Sequence, residues 1–166
     1  PHTFRLPVLE QLFPRARYLH LVRDPYAVFA STVKLWKSLF AAQSYQRPTY
    51  EGLEERVLET FCRMYEHFES ARPQIDPQRI CDVRYEDLVR DPLGQMRQVY
   101  ERLELGDFDL VAAAVEAYFG QRADYRPSRY QLTPQQHAAV TERWLPSMRR
   151  YGYKPRDSTA GMPKLE

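Results

Sequence analysis

The feature that most constrains the fold is a short apolar strand pattern that leads directly into a helical pattern. The strand pattern is RYLHLV, residues 17–22, which is apolar and contains no breaker, as is typical of a strand in a parallel sheet that is buried on both faces. Arg23 and Asp24 follow, and then Pro25, which suits the first turn of a helix because its missing N–H has no helical partner there. The segment predicts a buried strand, a tight turn and a helix to about Phe40.

The same segment predicts an anion site. Arg23 stands where the strand ends, and ligands of open α/β sheets bind outside the carboxyl ends of the strands. Its guanidinium can form paired hydrogen bonds to a phosphate, and the N-terminus of the following helix favours negative charge. Ser31, about two turns into that helix, can direct its hydroxyl toward the same anion. The residues alone equally allow Arg23 to pair with Asp24 or another carboxylate, with Ser31 as a tolerated small helix residue.

The rest of the chain carries one more strand pattern and several helical ones. The second strand pattern is RICDVRY, residues 79–85. Helical patterns cover residues 3–13, 49–71, 92–103, 109–119 and 134–150. Two buried strands among many helices indicate an α/β fold, a parallel sheet flanked by helices. Because two strands make a small sheet, and Pro1 runs into a helical pattern without a turn, we expect further strands in an N-terminal part that precedes this chain.

Composition excludes little. The 166 residues fit one domain, and 43% hydrophobic with 28% charged residues is ordinary for a globular protein. A net charge of +2 does not require a nucleic-acid partner, and no stretch approaches a membrane span or a signal peptide. A cytoplasmic location is expected. Cys62 and Cys81 lack metal-ligand spacing, and no metal site is predicted.

Three segments together resemble one known family. They are FPRARYLHLVRDPYAVFAST from Phe13, VRYEDLVRDP from Val83, and RWLPSMRRYGY from Arg143. In order and spacing they are similar to the 3′-phosphate motif, the "YEDL…P" segment and the closing helix of bacterial-type members of the sulfotransferase superfamily. The resemblance covers most of the chain from Phe13 to Tyr153. It implies a P-loop-like sulfotransferase fold, with residues 1–153 forming the C-terminal part of a single domain. Residues 154–166 contain Pro, Ser, Gly and Lys and are expected to form a loosely ordered tail.

The resemblance also implies an activity and its partners. Sulfotransferases move a sulfuryl group from 3′-phosphoadenosine 5′-phosphosulfate to an acceptor hydroxyl or amine, without a metal. The acceptor itself is not implied. By residue, Arg23 and Ser31 would hold the 3′-phosphate and Tyr85 would border the donor nucleotide. Ser128 and Arg129, in RPSRY, fall where family members return a loop over the 3′-phosphate, although a plain surface loop is the simpler reading of each residue.

A catalytic base is suggested by position alone. Counting back from Arg23, His2 falls within one residue of the histidine that removes the acceptor's proton in cytosolic sulfotransferases. An imidazole can accept a proton near neutral pH. Related families use a glutamate elsewhere, so an exposed helix-start histidine is the alternative.

The departure from the family pattern lies at the 5′ side of the donor. The strand–loop–helix that binds the 5′-phosphosulfate is not present in these residues, and without it this chain alone is expected to be inactive. A non-catalytic nucleotide-binding or interaction domain derived from the same fold is therefore the alternative function. A P-loop kinase relative has no support, because the sequence lacks G-x-x-x-x-G-K-[ST].

Overall fold

The computed structural model describes residues 2–121 and 131–156, and these contain both predicted strands. The strands are β1 (Tyr18–Val22) and β2 (Ile80–Arg84). The α-helices are α1 (Leu6–Leu12), α2 (Pro25–Gln43), α3 (Leu53–Ala71), α4 (Tyr85–Arg90), α5 (Pro92–Arg102), α6 (Asp109–Gly120) and α7 (Pro134–Arg150). Short 3₁₀ turns cover His2–Arg5, Arg72–Gln74 and Pro77–Arg79.

These elements form two compact units. The described residues of unit 1 are 2–23 and 66–121, and those of unit 2 are 24–65 and 131–156. The division falls within α3, between Tyr65 and Glu66.

Unit 1 is built on a parallel two-stranded sheet. β1 and β2 pair in register from Tyr18 opposite Ile80 to Val22 opposite Arg84. Because both strands run the same way, Arg23 and Tyr85 follow them at the same, carboxyl edge of the sheet. The predicted α/β class with a parallel sheet is confirmed.

Helical residues pack against both faces of this sheet. On one face Val83 packs with Val99 and Leu103, which α5 and the residue after it supply. On the other face the ring of His20 lies 4.3 Å from the ring of Phe68, which belongs to α3. The arrangement is a thin layered structure with helices on both sides of the sheet.

One expectation about β1 was wrong. The apolar run predicts burial on both faces, but only His20 and Val22 are buried, whereas Leu19 and Leu21 are 46% and 49% exposed. The side chains of a strand alternate between faces, and on the face of these leucines α5 packs on Val83 of β2. Half of the strand's apolar surface is therefore open in the described residues.

A polar network lies on the opposite face of the sheet. Asp82 sits beside His20 across the strands, with 2.9 Å between His20 Nδ1 and Asp82 Oδ1. Arg72 donates two hydrogen bonds to the same carboxylate, of 2.9 and 2.6 Å. Burial acts to raise the pKa of Asp82, but the hydrogen bonds from His20 and Arg72 and the charge of Arg72 outweigh it and lower the pKa from 3.8 to about 2.

This network predicts that unit 1 loses stability in acid. A carboxyl group with a lowered folded-state pKa stabilises the fold above its unfolded value, and that contribution disappears as the pH falls from about 4 to about 2. Because the Asp82 side chain is 32% exposed, we expect a loss of about 1–2 kcal/mol rather than the full Coulombic value. Urea unfolding of the wild type and Asp82→Asn at pH 5 and pH 2.5 measures it.

The two proteins should differ in stability at pH 5, and most of this difference should be lost at pH 2.5, where the pH approaches the folded-state pKa of about 2. Glu101→Gln, at an exposed position of unit 1, is the matched control and should leave stability nearly unchanged at both pH values. A wild-type advantage over Asp82→Asn that persists undiminished at pH 2.5 would contradict the assignment.

Among the described residues, the largest fully buried side chains belong to unit 2. Its core lies between α2, the first part of α3 and α7, and comprises Tyr26, Phe29, Val33, Leu53, Val57, Leu58, Val140, Trp144 and Met148. The predicted start of α7 is confirmed, since Thr133 and Gln136 form a reciprocal capping box. α2 begins at Pro25 as predicted but continues to Gln43, three residues past the predicted end.

Candidate functional site

Two of the predicted site residues in unit 1, Arg23 and Tyr85, lie in direct contact. Arg23 follows β1 and Tyr85 follows β2, directly after the paired residues Val22 and Arg84. The Cζ atom of Arg23 lies 4.4 Å from the centroid of the Tyr85 ring. The parallel register thus brings together two residues that are far apart in sequence, and it does so at the edge where α/β sheets bind ligands.

This contact leaves the donors of Arg23 available. A cation–π interaction uses the charge of the guanidinium but none of its five N–H groups. Within residues 2–121 and 131–156, the Arg23 side chain forms no hydrogen bond or ion pair with another residue. Arg23 is therefore held by an aromatic face while its N–H fork can bind an anion.

Asp24, the next residue, is engaged elsewhere. Its Oδ1 accepts a hydrogen bond of 2.9 Å from the N–H of Ala27, which caps the N-terminus of α2. Its Oδ2 forms an ion pair with Arg156, and the residue is buried. The alternative in which Arg23 pairs with Asp24 or another carboxylate has no support in the described residues.

Ser31 lies in unit 2, in the second turn of α2. Its hydroxyl donates a 3.1 Å hydrogen bond to the carbonyl oxygen of Val28. A serine in a helix commonly satisfies its hydroxyl in this way, and the bond can be exchanged for one to an external acceptor. The side chain is half-buried.

The remaining predicted site residues are His2, Ser128 and Arg129. His2 begins a 3₁₀ turn, is exposed, and forms no hydrogen bond or ion pair with another of the described residues. Ser128 and Arg129 lie outside the described residues.

The described residues contain neither a candidate metal site nor a candidate membrane span. Residues 2–121 and 131–156 hold no group of three or more His, Cys, Asp or Glu side chains that could bind a metal ion. None of the helices in this part of the chain is both long and apolar enough to cross a bilayer.

Comparison with known proteins identifies the family. Residues 1–109, well over half of the chain, match the family model described as the sulfotransferase family. The chain belongs to the sulfotransferase family. It is 43% identical over 152 residues to the omega-hydroxy-beta-dihydromenaquinone-9 sulfotransferases Stf3 of Mycobacterium bovis and Mycobacterium tuberculosis, a match that covers 92% of this chain and 39% of each relative. Carbohydrate sulfotransferase 5 of Mus musculus is 34% identical over 109 residues, which are 60% of this chain and 28% of that protein.

Solved sulfotransferase structures share the fold. Sulfotransferase STF9 from Mycobacterium avium superimposes with a TM-score of 0.71 at 20% identity, over 94% of this chain and 41% of that one. The sulfotransferase domain from the curacin biosynthetic pathway gives 0.53 at 17% identity, over 93% of this chain and 61% of that one. This sulfotransferase chain spans about two fifths of the length of the Stf3 relatives.

Sequence reasoning missed the residues that fasten the start of α2. Arg156 falls in the segment expected to be a loose tail, yet it pairs with Asp24, 132 residues away. His137, in α7, stacks on Tyr26 with ring centroids 4.2 Å apart and an interplanar angle of 12°. No local pattern announces either contact, because the partners are distant in sequence.

Proposed function

We propose that the protein containing this chain is a sulfotransferase that moves a sulfuryl group from 3′-phosphoadenosine 5′-phosphosulfate to an acceptor. In this proposal the chain supplies the part of the donor site that binds the 3′-phosphate. The carrying observation is the pair of Arg23 and Tyr85 at the carboxyl ends of β1 and β2, with 4.4 Å between the guanidinium carbon and the ring centroid. Membership of the sulfotransferase family supports it.

In this proposal each predicted binding residue has a role in holding the donor nucleotide. Arg23 gives its N–H donors to the 3′-phosphate, because its face already rests on Tyr85. The ring of Tyr85 borders the nucleotide and restricts the guanidinium to one side. Ser31, in α2, is assigned to the same phosphate, as are Ser128 and Arg129. The proposed effect is to fix the donor so that its sulfur can be attacked in line.

Transfer itself requires a nucleophile and charge stabilisation at the sulfur. The acceptor oxygen or nitrogen forms a bond to sulfur as the bond between sulfur and the 5′-phosphate oxygen breaks, and the acceptor proton passes to a base. His2 is our candidate for that base, since its exposed imidazole is open to an acceptor. Stabilising the 5′-phosphate side is assigned to residues outside this chain.

The acceptor class can be narrowed within the same proposal. The Stf3 relatives are named for a hydroxylated menaquinone, an apolar molecule with an alkyl hydroxyl. In this chain the second half of α2 exposes Leu35, Trp36 and Phe40 at 55%, 43% and 38%. These side chains offer apolar surface on the helix that carries Ser31, so we propose a hydroxyl group on an apolar acceptor.

The deciding experiment is a ligand comparison in the natural, full-length protein. Isothermal titration calorimetry with adenosine 3′,5′-bisphosphate and with 5′-AMP should show at least about tenfold tighter binding of the bisphosphate, because charge-assisted hydrogen bonds to the 3′-phosphate are made by only one ligand. Equal affinities for the two nucleotides would contradict the assignment of a 3′-phosphate site. Preference for the bisphosphate without sulfuryl transfer to a hydroxylated quinone or a simple alcohol would support the non-catalytic alternative.

A further inference from the structure

The segment that follows α7 is fastened to the first turn of α2. Residues 154–156, here called the tail segment, end at Arg156, whose guanidinium forms an ion pair with Asp24. Its Cζ atom also lies 5.5 Å from the ring centroid of Tyr26. Both contacts are within unit 2 and involve the two residues on either side of Pro25.

The hydrogen bonds around Tyr26 have a single consistent direction. The Thr141 hydroxyl donates to the carbonyl oxygen of His137 at 2.8 Å, so its only proton is used. The Tyr26 hydroxyl, 2.8 Å from Thr141 Oγ1, must therefore donate to it. The Tyr26 oxygen can then accept the 3.2 Å hydrogen bond from the Arg156 backbone N–H. This chain ties the tail segment through Tyr26 to α7.

The ion pair between Arg156 and Asp24 bears on phosphate binding because it neutralises the negative charge of Asp24. Asp24 directly follows Arg23 in the chain and caps α2, the helix that carries Ser31. A carboxylate there satisfies an N–H of the first turn, but its negative charge opposes a phosphate bound nearby. Only 6% of Asp24 is exposed, so water screens this charge poorly, whereas the Arg156 guanidinium neutralises it directly.

We propose that Arg156 is a positioning residue for donor binding, which neutralises Asp24 so that the carboxylate can cap α2 without repelling the 3′-phosphate. The inference rests on the proposed function, since it concerns the same phosphate. Arg156 acts through Asp24 and does not itself contact the donor.

The test compares charge variants by calorimetry with adenosine 3′,5′-bisphosphate in the full-length protein. Arg156→Gln should weaken binding about tenfold, because it removes the positive charge that pairs with the Asp24 carboxylate. Lys154→Gln, two residues earlier in the tail segment and exposed, removes one positive charge without that contact and should change the affinity less than about twofold. Binding of 5′-AMP should be nearly the same in all variants, which also confirms that they fold.

The double variant Asp24→Asn/Arg156→Gln separates the possible roles. Asparagine is as good a helix cap as aspartate, so this variant keeps the cap and removes both charges. Its affinity should return to within about threefold of the wild type. An Arg156→Gln variant that binds like wild type, or a double variant as weak as Arg156→Gln, would overturn the inference. If wild type binds the bisphosphate and 5′-AMP equally, the proposed function fails instead.

Discussion

Replacing Trp144 by alanine is expected to destabilise unit 2 strongly. Trp144 is 1% exposed, and its ring stacks on Phe61 with centroids 3.7 Å apart and an interplanar angle of 16°. Phe29 meets it edge-on at 6.0 Å. Its indole N–H donates a 3.1 Å hydrogen bond to the carbonyl oxygen of Leu58. The one side chain therefore joins α7 to both α2 and α3.

The expected magnitude follows from burial and from the lost hydrogen bond. Truncating a buried tryptophan to alanine lowers the free energy of unfolding by about 3–5 kcal/mol, because it removes apolar burial and leaves a cavity. The carbonyl oxygen of Leu58 also loses its donor. Urea denaturation of the full-length protein, followed by far-UV circular dichroism, measures the change.

Two further variants define the cause of the loss. Trp144→Phe keeps a ring for Phe61 to stack on but removes the indole N–H, so we expect a smaller loss of about 1–2 kcal/mol. Trp36→Ala, which alters the other of the two tryptophans, truncates a side chain that is 43% exposed and should cost under about 1 kcal/mol. Similar losses for Trp144→Ala and Trp36→Ala would contradict the central role of Trp144.

The parts of the fold that could be predicted from sequence are those with local signals. The β1 pattern, the position of Pro25 and the Thr133–Gln136 capping box each depend on residues within one turn or strand, and each marks an observed element. The short helix α4, Tyr85–Arg90, was not predicted, because its residues follow a strand without a side-chain cap. The exposure of Leu19 and Leu21 was missed for another reason, since a run of apolar residues does not reveal which face a helix covers.

The contacts at the candidate site also include some that the sequence predicted and some that it could not. Sequence placed Arg23 directly after the first strand pattern and Tyr85 at the end of the second, and the parallel register accounts for their contact. The pairing of Asp24 with Arg156 could not be predicted, because any of several arginines could satisfy a capping aspartate until the chain is folded. Nor could the sequence predict that Asp82 forms hydrogen bonds with His20 across the sheet and with Arg72 from the turn after α3. The local sequence determines which side chains can form an ion pair, and the tertiary structure determines which of them do.

Replacing Arg23 by alanine should abolish the preference for a 3′-phosphorylated nucleotide. Losing a bidentate, charge-assisted contact is expected to weaken the binding of adenosine 3′,5′-bisphosphate about 100-fold, while the affinity for 5′-AMP should change less than about threefold. Arg15→Ala, on the same segment but exposed before β1, is the matched control and should leave both affinities unchanged. An equal loss for both nucleotides would show that Arg23 does not bind the 3′-phosphate.

Two conservative variants test how the contact is made. Arg23→Lys keeps the positive charge but lacks the planar fork, so we expect an intermediate loss of about tenfold for the bisphosphate. Tyr85→Leu removes the aromatic face 4.4 Å from the guanidinium carbon but keeps all N–H donors of Arg23. It should weaken the binding of the bisphosphate by about three- to tenfold. Because Tyr85 acts partly by holding Arg23, adding Tyr85→Leu to Arg23→Ala should weaken binding by less than Tyr85→Leu does alone. Fully additive losses would mean that the two residues bind the nucleotide independently and that their contact is incidental to binding.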